Sequence, residues 1–112
     1  MNMNSNKPHA SVRNLEQVIL LAFIAKWCPY CLLARPAAEK TSQRTGHELH
    51  VVDVDEQPDL AREFGVETIP TLLLVRAGQV IGRWQAQSNP EDIPDFFANV
   101  CLANELQYVA SS

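Results

Sequence analysis

Two cysteines separated by two residues, Cys28 and Cys31, are the side chains best suited to chemistry in this 112-residue chain. The thiolate form of cysteine is the nucleophile of disulfide exchange. Cys28 is the outer thiol of the pair, so we expect it to attack a substrate disulfide. Cys31, one turn further along, is expected to be less open to solvent and to resolve the mixed disulfide by attacking the Cys28 sulfur. The pattern therefore predicts a redox-active disulfide, Cys28–Cys31, that needs no other cofactor.

The segments on either side of the pair would place it at the start of a helix. The apolar run Val18–Ala25 is too short to span a bilayer and too continuous for a half-exposed strand, so it predicts a strand covered on both faces. After Cys31, apolar and charged residues recur at helical spacing to about Thr45, where Gly46 supplies a stop signal. The amide groups and partial positive charge at the N-terminus of that helix would stabilise a thiolate at Cys28.

A zinc site is the main alternative role for the two cysteines. With His47 and His50 they form the pattern C-x2-C-x15-H-x2-H, which superficially resembles a zinc finger. The histidines are closer together than in most fingers, and the cysteines lie between a predicted strand and a predicted helix instead of on a hairpin. A structural disulfide is disfavoured because a loop of two residues closes too little chain to stabilise much. The sequence therefore favours redox chemistry and predicts no metal site.

Composition and charge restrict the class of partner. Nine Lys and Arg against thirteen Asp and Glu give a net charge of -4, which argues against nucleic acid or an anionic membrane as a partner. Residues 1–9 contain no apolar signal-peptide core, so a cytoplasmic location is expected. The length predicts a single domain over residues 11–109, with a flexible tail over 1–10 and a short tail over 110–112. Cys101 lies in an apolar-periodic segment and is expected to be a buried, inert thiol.

The rest of the chain predicts alternating helices and strands. The predicted elements are a short helix over 10–17, a strand over Leu49–Val54, a short helix over Pro58–Phe64, a strand over Thr71–Val75, a turn at Ala77–Gln79, a strand over Val80–Gln85, and a last helix from Asn89 to about Gln107. Pro36 should kink the first long helix, and Pro94 should move the start of the last helix by one turn. This order predicts a parallel strand pair connected by a helix and extended by antiparallel strands.

In its motifs and their order, the chain resembles the thioredoxin family over roughly residues 12–107. The matching features are Trp27-Cys28-x-x-Cys31, Pro36 five residues later, Val54-Asp55 with Pro58, Phe64-Gly65-Val66, Thr68-Ile69-Pro70-Thr71 and the Gly78 turn. The cysteine motif followed by Ile-Pro-Thr about forty residues later is the specific part, because the two converge in space in this family. The resemblance implies an α/β thioredoxin fold, with helices on both faces of a central mixed β-sheet of four to five strands.

The resemblance also implies a site and an activity. Pro70 is expected to be cis and to face the Cys28 sulfur, which leaves the Ile69 backbone free to pair with an extended substrate segment. The chain is then expected to be a monomeric thiol-disulfide oxidoreductase that acts on protein disulfides with a reductase such as thioredoxin reductase. The substrate-binding residues carried over are Trp27, Pro29, Tyr30, Thr68, Ile69, Pro70 and Ala86.

Three departures from the family pattern affect the expected chemistry. Pro29-Tyr30 replaces the usual Gly-Pro between the cysteines and is typical of glutaredoxins, so an intermediate or more oxidising reduction potential is expected. Ala22 stands where the family places a buried aspartate that moves protons to and from the inner thiol, and Val51 replaces the lysine partner of that aspartate. Either charge alone would be costly to bury. Resolution by Cys31 would then depend on water, the leaving thiolate or another base, with slower turnover at low pH.

Two other functions remain open for the sequence. One is a glutaredoxin-like oxidoreductase that uses glutathione, although Ile81-Gly82-Arg83 has one glycine where that family carries a pair. The other is a thioredoxin-fold binding or holdase module whose cysteines do little chemistry. The intact Cys-Pro-Tyr-Cys motif argues against the second.

Overall fold

Strands and helices alternate along the chain in the computed structural model, which describes residues 18–85 and 89–106. The elements are β1 (Val18–Ile24), α1 (Cys31–Thr45), β2 (Glu48–Asp53), α2 (Pro58–Glu63), β3 (Thr71–Arg76), β4 (Gln79–Gln85), a 3₁₀ turn (Pro90–Asp92) and α3 (Ile93–Ala103). This order confirms the predicted alternation. The predicted helix over residues 10–17, both predicted tails and the outer ends of the predicted domain lie outside the described residues.

One mixed sheet of four strands forms the centre of the described chain, in the order β2-β1-β3-β4. The β1 and β2 strands pair in parallel through the α1 crossover, while β1–β3 and β3–β4 are antiparallel pairs. The predicted topology is therefore confirmed. The central position of β1 explains its continuous apolar sequence, because a central strand with helices on both faces has no solvent side.

Two apolar layers lie on opposite faces of this sheet. Adjacent residues of β3 alternate between them, as strand geometry requires: Leu72 and Leu74 face α1 and α3, while Leu73 and Val75 face α2. Phe23 of β1 packs in the second layer against Phe64, and the centroids of the two rings are 6.1 Å apart. Helices thus cover both faces, as the resemblance implied.

Helix α1 ends at Thr45 and is followed by Gly46, as the sequence predicted. Gly46 adopts the left-handed conformation, with φ of 75°, and its N–H donates to the Ser42 carbonyl at 2.9 Å. Glycine takes this conformation without the steric cost that a Cβ would add. Pro36 lies inside α1, and the helix continues past it to Thr45.

The last helix begins as predicted but ends earlier. Asn89 caps the 3₁₀ turn by accepting from the Glu91 N–H at 2.9 Å, and Pro94 lies in the first turn of α3. The predicted end near Gln107 is wrong, because α3 stops at Ala103 and Glu105 turns left-handed with φ of 58°. The helical spacing of Leu106 misled the prediction, since its side chain packs on the core from beyond the turn.

None of the described helices is both long enough and apolar enough to cross a membrane. Cys101 is fully buried in the layer between the sheet and α3, which confirms its predicted burial. That burial raises the pKa of the Cys101 thiol.

Candidate active site

The two cysteines lie together where β1 leads into α1. Cys31 is the first residue of α1, and its backbone N–H donates to the Cys28 carbonyl at 3.2 Å. Cys28, Cys31 and Ala25 form one buried cluster, with the two cysteines 6% and 4% exposed. Cys31 is therefore the more enclosed thiol, as predicted, but by a narrow margin.

A backbone amide group is aimed at the Cys28 sulfur. The Cys31 backbone nitrogen lies 3.2 Å from Cys28 Sγ, and its N–H donates to this sulfur as well as to the Cys28 carbonyl. This amide belongs to the first turn of α1, where N–H groups have no partner within the helix and the helix dipole presents partial positive charge. The arrangement can hold negative charge on the Cys28 sulfur, as a nucleophilic thiolate requires.

The Cys31 thiol is held protonated at neutral pH. Burial is the main cause, and the hydrogen bond with the Cys28 side chain adds to it, so that the pKa of Cys31 is raised from 9.0 to about 12. A thiol with this pKa is a poor nucleophile until a base removes its proton. The two cysteines therefore have the unequal environments that separate attacking and resolving roles require.

The two sequence motifs meet in space. The Ile69–Pro70 peptide bond is cis, as predicted, and Pro70 is fully buried. Ile69 packs against the cysteine cluster together with Tyr30. The Thr71 hydroxyl donates to the Thr68 carbonyl at 2.6 Å and so closes the loop that carries the proline. The expected approach of Pro70 to the Cys28 sulfur stays a prediction.

The remaining predicted binding residues are largely at the surface. Trp27 is 67% exposed, and Pro29 and Thr68 are exposed as well. Ala86 lies outside the described residues. The Trp27 indole N–H donates to Asp55 Oδ2 at 2.8 Å, which fixes the ring against the loop after β2. Sequence reasoning missed this contact because the two residues are 28 positions apart and only the β1–β2 pairing brings them together.

Ala22 and Val51, the two replacements of the family's charged pair, lie directly opposite each other. Their Cα atoms are register partners in the parallel β1–β2 pairing. Ala22 is fully buried in the layer that also contains Ala34 and Ala38 of α1, and Val51 is half-buried. Both positions are apolar, so neither strand buries a charge without a partner. Neither position of the pair therefore carries a carboxylate or an ammonium group.

A cleft of about 460 Å³ opens beside both cysteines. An ion pair at its edge joins Arg35 Nε to Glu39 Oε2 at 3.6 Å. The cleft gives the buried pair a route to solvent, which sequence reasoning did not identify. Its lining residues are Ile24, Ala25, Lys26, Cys28, Cys31, Leu32, Arg35, Pro36 and Glu39.

The zinc alternative fails on distance. The cysteines are at the N-terminal end of α1, whereas His47 and His50 follow its C-terminal end. A helix of 15 residues is about 22 Å long, so the four side chains do not converge. In residues 18–85 and 89–106, no group of three or more His, Cys, Asp and Glu side chains could hold a metal ion.

Gly82 has a packing role that explains its presence on β4. A Cβ atom at this position would lie 2.9 Å from Val100 Cγ1, closer than real Cβ atoms come. Gly82 therefore allows α3 to lie close against β4. The single glycine of Ile81-Gly82-Arg83, which the sequence analysis counted against the glutathione-dependent alternative, thus has a packing reason that involves no ligand.

Comparison with known proteins identifies the family. Residues 1–100 match the family model described as "Thioredoxin". The chain is 40% identical over 73 residues to a thioredoxin of Bacillus subtilis, covering 63% of this chain and 70% of the relative. It is 37% identical over 76 residues to a bifunctional thioredoxin reductase/thioredoxin of Mycobacterium leprae, covering 66% of this chain but 17% of that longer protein.

A solved structure shows the same fold. Oxidized mitochondrial thioredoxin 3 from Saccharomyces cerevisiae superposes with a TM-score of 0.66 at 29% identity, covering 80% of this chain and 84% of the yeast chain. The four-stranded mixed sheet with helices on both faces is the architecture common to both.

Proposed function

The chain belongs to the thioredoxin family, and we propose that it exchanges protein disulfides through Cys28 as nucleophile and Cys31 as resolving thiol. The family consists of protein-disulfide oxidoreductases, so this chain is one. The observation that supports the assignment of roles is the N–H group of Cys31, which donates to Cys28 Sγ while the Cys31 thiol itself is held protonated.

The proposed reaction has two exchange steps. The Cys28 thiolate attacks one sulfur of the substrate disulfide, forms a mixed disulfide and releases the first substrate sulfur as a thiolate. Cys31 then loses its proton and attacks the Cys28 sulfur, which forms the Cys28–Cys31 disulfide and releases the second substrate sulfur. Two electrons pass to the substrate. The redox-active disulfide is the only cofactor that these steps need.

Deprotonation of Cys31 is the demanding part of the second step, because its pKa is about 12. The first substrate thiolate is released beside Cys31 and can accept the proton. The cleft along α1 also contains Cys31 in its wall, so water can reach the thiol from that side. With Ala22 at the position of the family's aspartate, these routes replace a buried carboxylate.

The substrate is proposed to dock beside the cis-proline loop. Ile69 packs on the cysteine cluster, and its backbone would pair with an extended substrate segment. Trp27 and Pro29, which flank Cys28 in the chain, provide exposed apolar contact. The proposed binding residues are Trp27, Pro29, Tyr30, Thr68, Ile69, Pro70 and Ala86.

A thioredoxin reductase is the proposed electron donor. The relative from M. leprae is named as a bifunctional thioredoxin reductase/thioredoxin, which associates this family with such a donor. Glutathione is the less supported donor, since Ile81-Gly82-Arg83 has one glycine where the glutaredoxin family carries a pair. We propose that the chain acts as a monomer, as its resemblance to thioredoxins implies. A cytoplasmic location is proposed because three cysteines, an odd number, do not suit the fully oxidised framework of a secreted protein.

The donor assignment is tested by insulin-disulfide reduction in two parallel assays. One assay supplies thioredoxin reductase with NADPH, and the other supplies glutathione with its reductase. Activity in the first alone supports the proposal. Activity in the second alone would mean that the Pro29-Tyr30 dipeptide sets the donor, and no activity in either would favour the holdase function.

A further inference from the structure

Exposed apolar side chains beside the cysteines form a surface that the two exchange steps leave unexplained. Five large apolar side chains are exposed in the described residues, and three of them lie between positions 27 and 33. These are Trp27, Leu32 and Leu33, which we call the apolar ridge; the leucines are 76% and 59% exposed. Single exposed apolar residues are ordinary, but a group beside a reactive site marks an interaction surface.

The two leucines of the apolar ridge face two different clefts. Leu32 lines the cleft of about 460 Å³ that contains both cysteines. Leu33 lines a second cleft of about 160 Å³, formed with Ala37 of α1 and with the segment Asn89–Glu91. Since consecutive helical residues are rotated by about 100°, the ridge presents apolar surface on both sides of the first turn of α1. A protein that reaches the Cys28 sulfur must lie close to this turn.

The second cleft has negative charge at its edge. Glu91 lines it, Asp92 lies in the same 3₁₀ turn, and Asp95 lies in the first turn of α3; all three are exposed. Among residues 18–85 and 89–106, none of these carboxylates forms an ion pair. The cations of the first cleft, Lys26 and Arg35, are instead paired with glutamates at 3.5 and 3.6 Å. The edge beyond Leu33 therefore offers unpaired negative charge.

We propose that the apolar ridge selects protein substrates in which an apolar side chain, and beyond it a lysine or arginine, flanks the target disulfide. The apolar side chain packs on Leu32 and Leu33, and the cation faces Glu91, Asp92 and Asp95. Complementary charge at an exposed edge acts chiefly on specificity and association rate. This inference rests on the proposed function, because the partner is a substrate that reacts with Cys28.

The test uses the pre-reduced chain, so no electron donor is needed. Second-order rate constants are measured by quenched flow and mass spectrometry for two disulfide peptides and for hydroxyethyl disulfide, which has no flanking side chains. The peptides differ only in a flanking lysine or glutamate. In Leu32→Ser/Leu33→Ser, the ratio of the lysine-peptide rate to the hydroxyethyl disulfide rate should fall about ten-fold, because buried apolar area is lost. Leu102→Ser, which removes a leucine that is 68% exposed on α3, should leave that ratio unchanged.

The charge component has its own variant and control. Glu91→Gln/Asp92→Asn should reduce the preference for the lysine peptide several-fold, and salt should reduce the wild-type preference in the same way. Glu63→Gln, on α2 at the opposite face of the sheet, is the matched control. An unchanged ratio in the double leucine variant would overturn the proposal, as would a wild-type dimer that this variant dissociates. Failure of the wild type to react with hydroxyethyl disulfide would instead refute the proposed function, and the inference with it.

Discussion

At the scale of single residues, the two thiols differ in their hydrogen bonds more than in their exposure. Cys28 and Cys31 are 6% and 4% exposed, so access alone does not separate them. Burial, together with the hydrogen bond to the Cys28 side chain, keeps the proton on Cys31. The same short segment supplies an N–H donor to the Cys28 sulfur. The proposed division of labour is therefore supported by contacts within one turn of chain.

The raised pKa of Cys31 predicts selective alkylation. With a pKa of about 12 instead of 9.0, its thiolate fraction at pH 9 falls from a half to about a thousandth. Because a backbone N–H donates to the Cys28 sulfur while the Cys31 thiol holds its proton, iodoacetamide should modify Cys28 first and reach Cys31 only at higher pH. Peptide mass spectrometry measures this, and protection of the fully buried Cys101 shows that the chain stays folded. Equal labelling of Cys28 and Cys31 at pH 7 would contradict the assignment.

At the scale of the elements, the β1–β2 pairing explains why two departures from the family occur together. Ala22 and Val51 are register partners, so a charge at one position would face an apolar side chain at the other. Sequence comparison by motif could locate both replacements. Only the strand register shows that they are opposite each other.

Ala22→Asp should destabilise the fold and change the pH profile of turnover. A carboxylate at this fully buried position lacks a partner, so the free energy of unfolding should fall by about 3 kcal/mol at neutral pH. Burial raises the pKa of such an aspartate, so the loss should be small below pH of about 4 and grow as the pH rises. Urea denaturation at several pH values measures this loss of stability, and the rate of disulfide reduction at the same pH values measures the change in the pH profile. Val51→Lys added to the same chain should recover part of the loss; no recovery would mean that the two side chains do not interact.

The contact between β4 and α3 gives a second prediction at this scale. Gly82→Ala would place a Cβ atom 2.9 Å from Val100 Cγ1 and 3.0 Å from Cγ2. We expect a loss of about 1 to 3 kcal/mol of stability from overpacking. Adding Val100→Ala removes both methyl groups and should relieve most of that loss, as urea denaturation would show. Additive losses in the double variant would rule out this contact as the cause.

At the scale of the whole molecule, residue patterns along the chain predicted the order and pairing of the strands, but they did not predict contacts between individual distant residues. The apolar run of β1, the stop at Gly46 and the hairpin after β3 gave the order and topology of the sheet. The predicted end of α3 was wrong because Leu106 keeps the helical spacing of apolar residues, although it packs on the core from the turn that follows the helix. Local periodicity cannot distinguish these two ways of burying an apolar side chain.

The candidate site likewise has residues that the sequence predicted and features that it did not. The cysteines and the cis-proline have fixed sequence offsets and were predictable. The bond from Trp27 to Asp55, the cleft along α1 and the apolar ridge depend on how distant segments meet, so no pattern along the chain indicated them. Contacts between distant segments are thus the part of the candidate site that the sequence describes least.

The central claim is the order of attack, and trapping the mixed disulfide tests it most directly. The variants Cys28→Ser and Cys31→Ser are each mixed with a protein disulfide substrate and analysed by non-reducing gel and mass spectrometry. Cys31→Ser should accumulate a covalent complex through Cys28, since the resolving thiol is absent, and Cys28→Ser should form no complex and reduce no disulfide. A complex that accumulates through Cys31, or full activity in the Cys28→Ser protein, would contradict the mechanism.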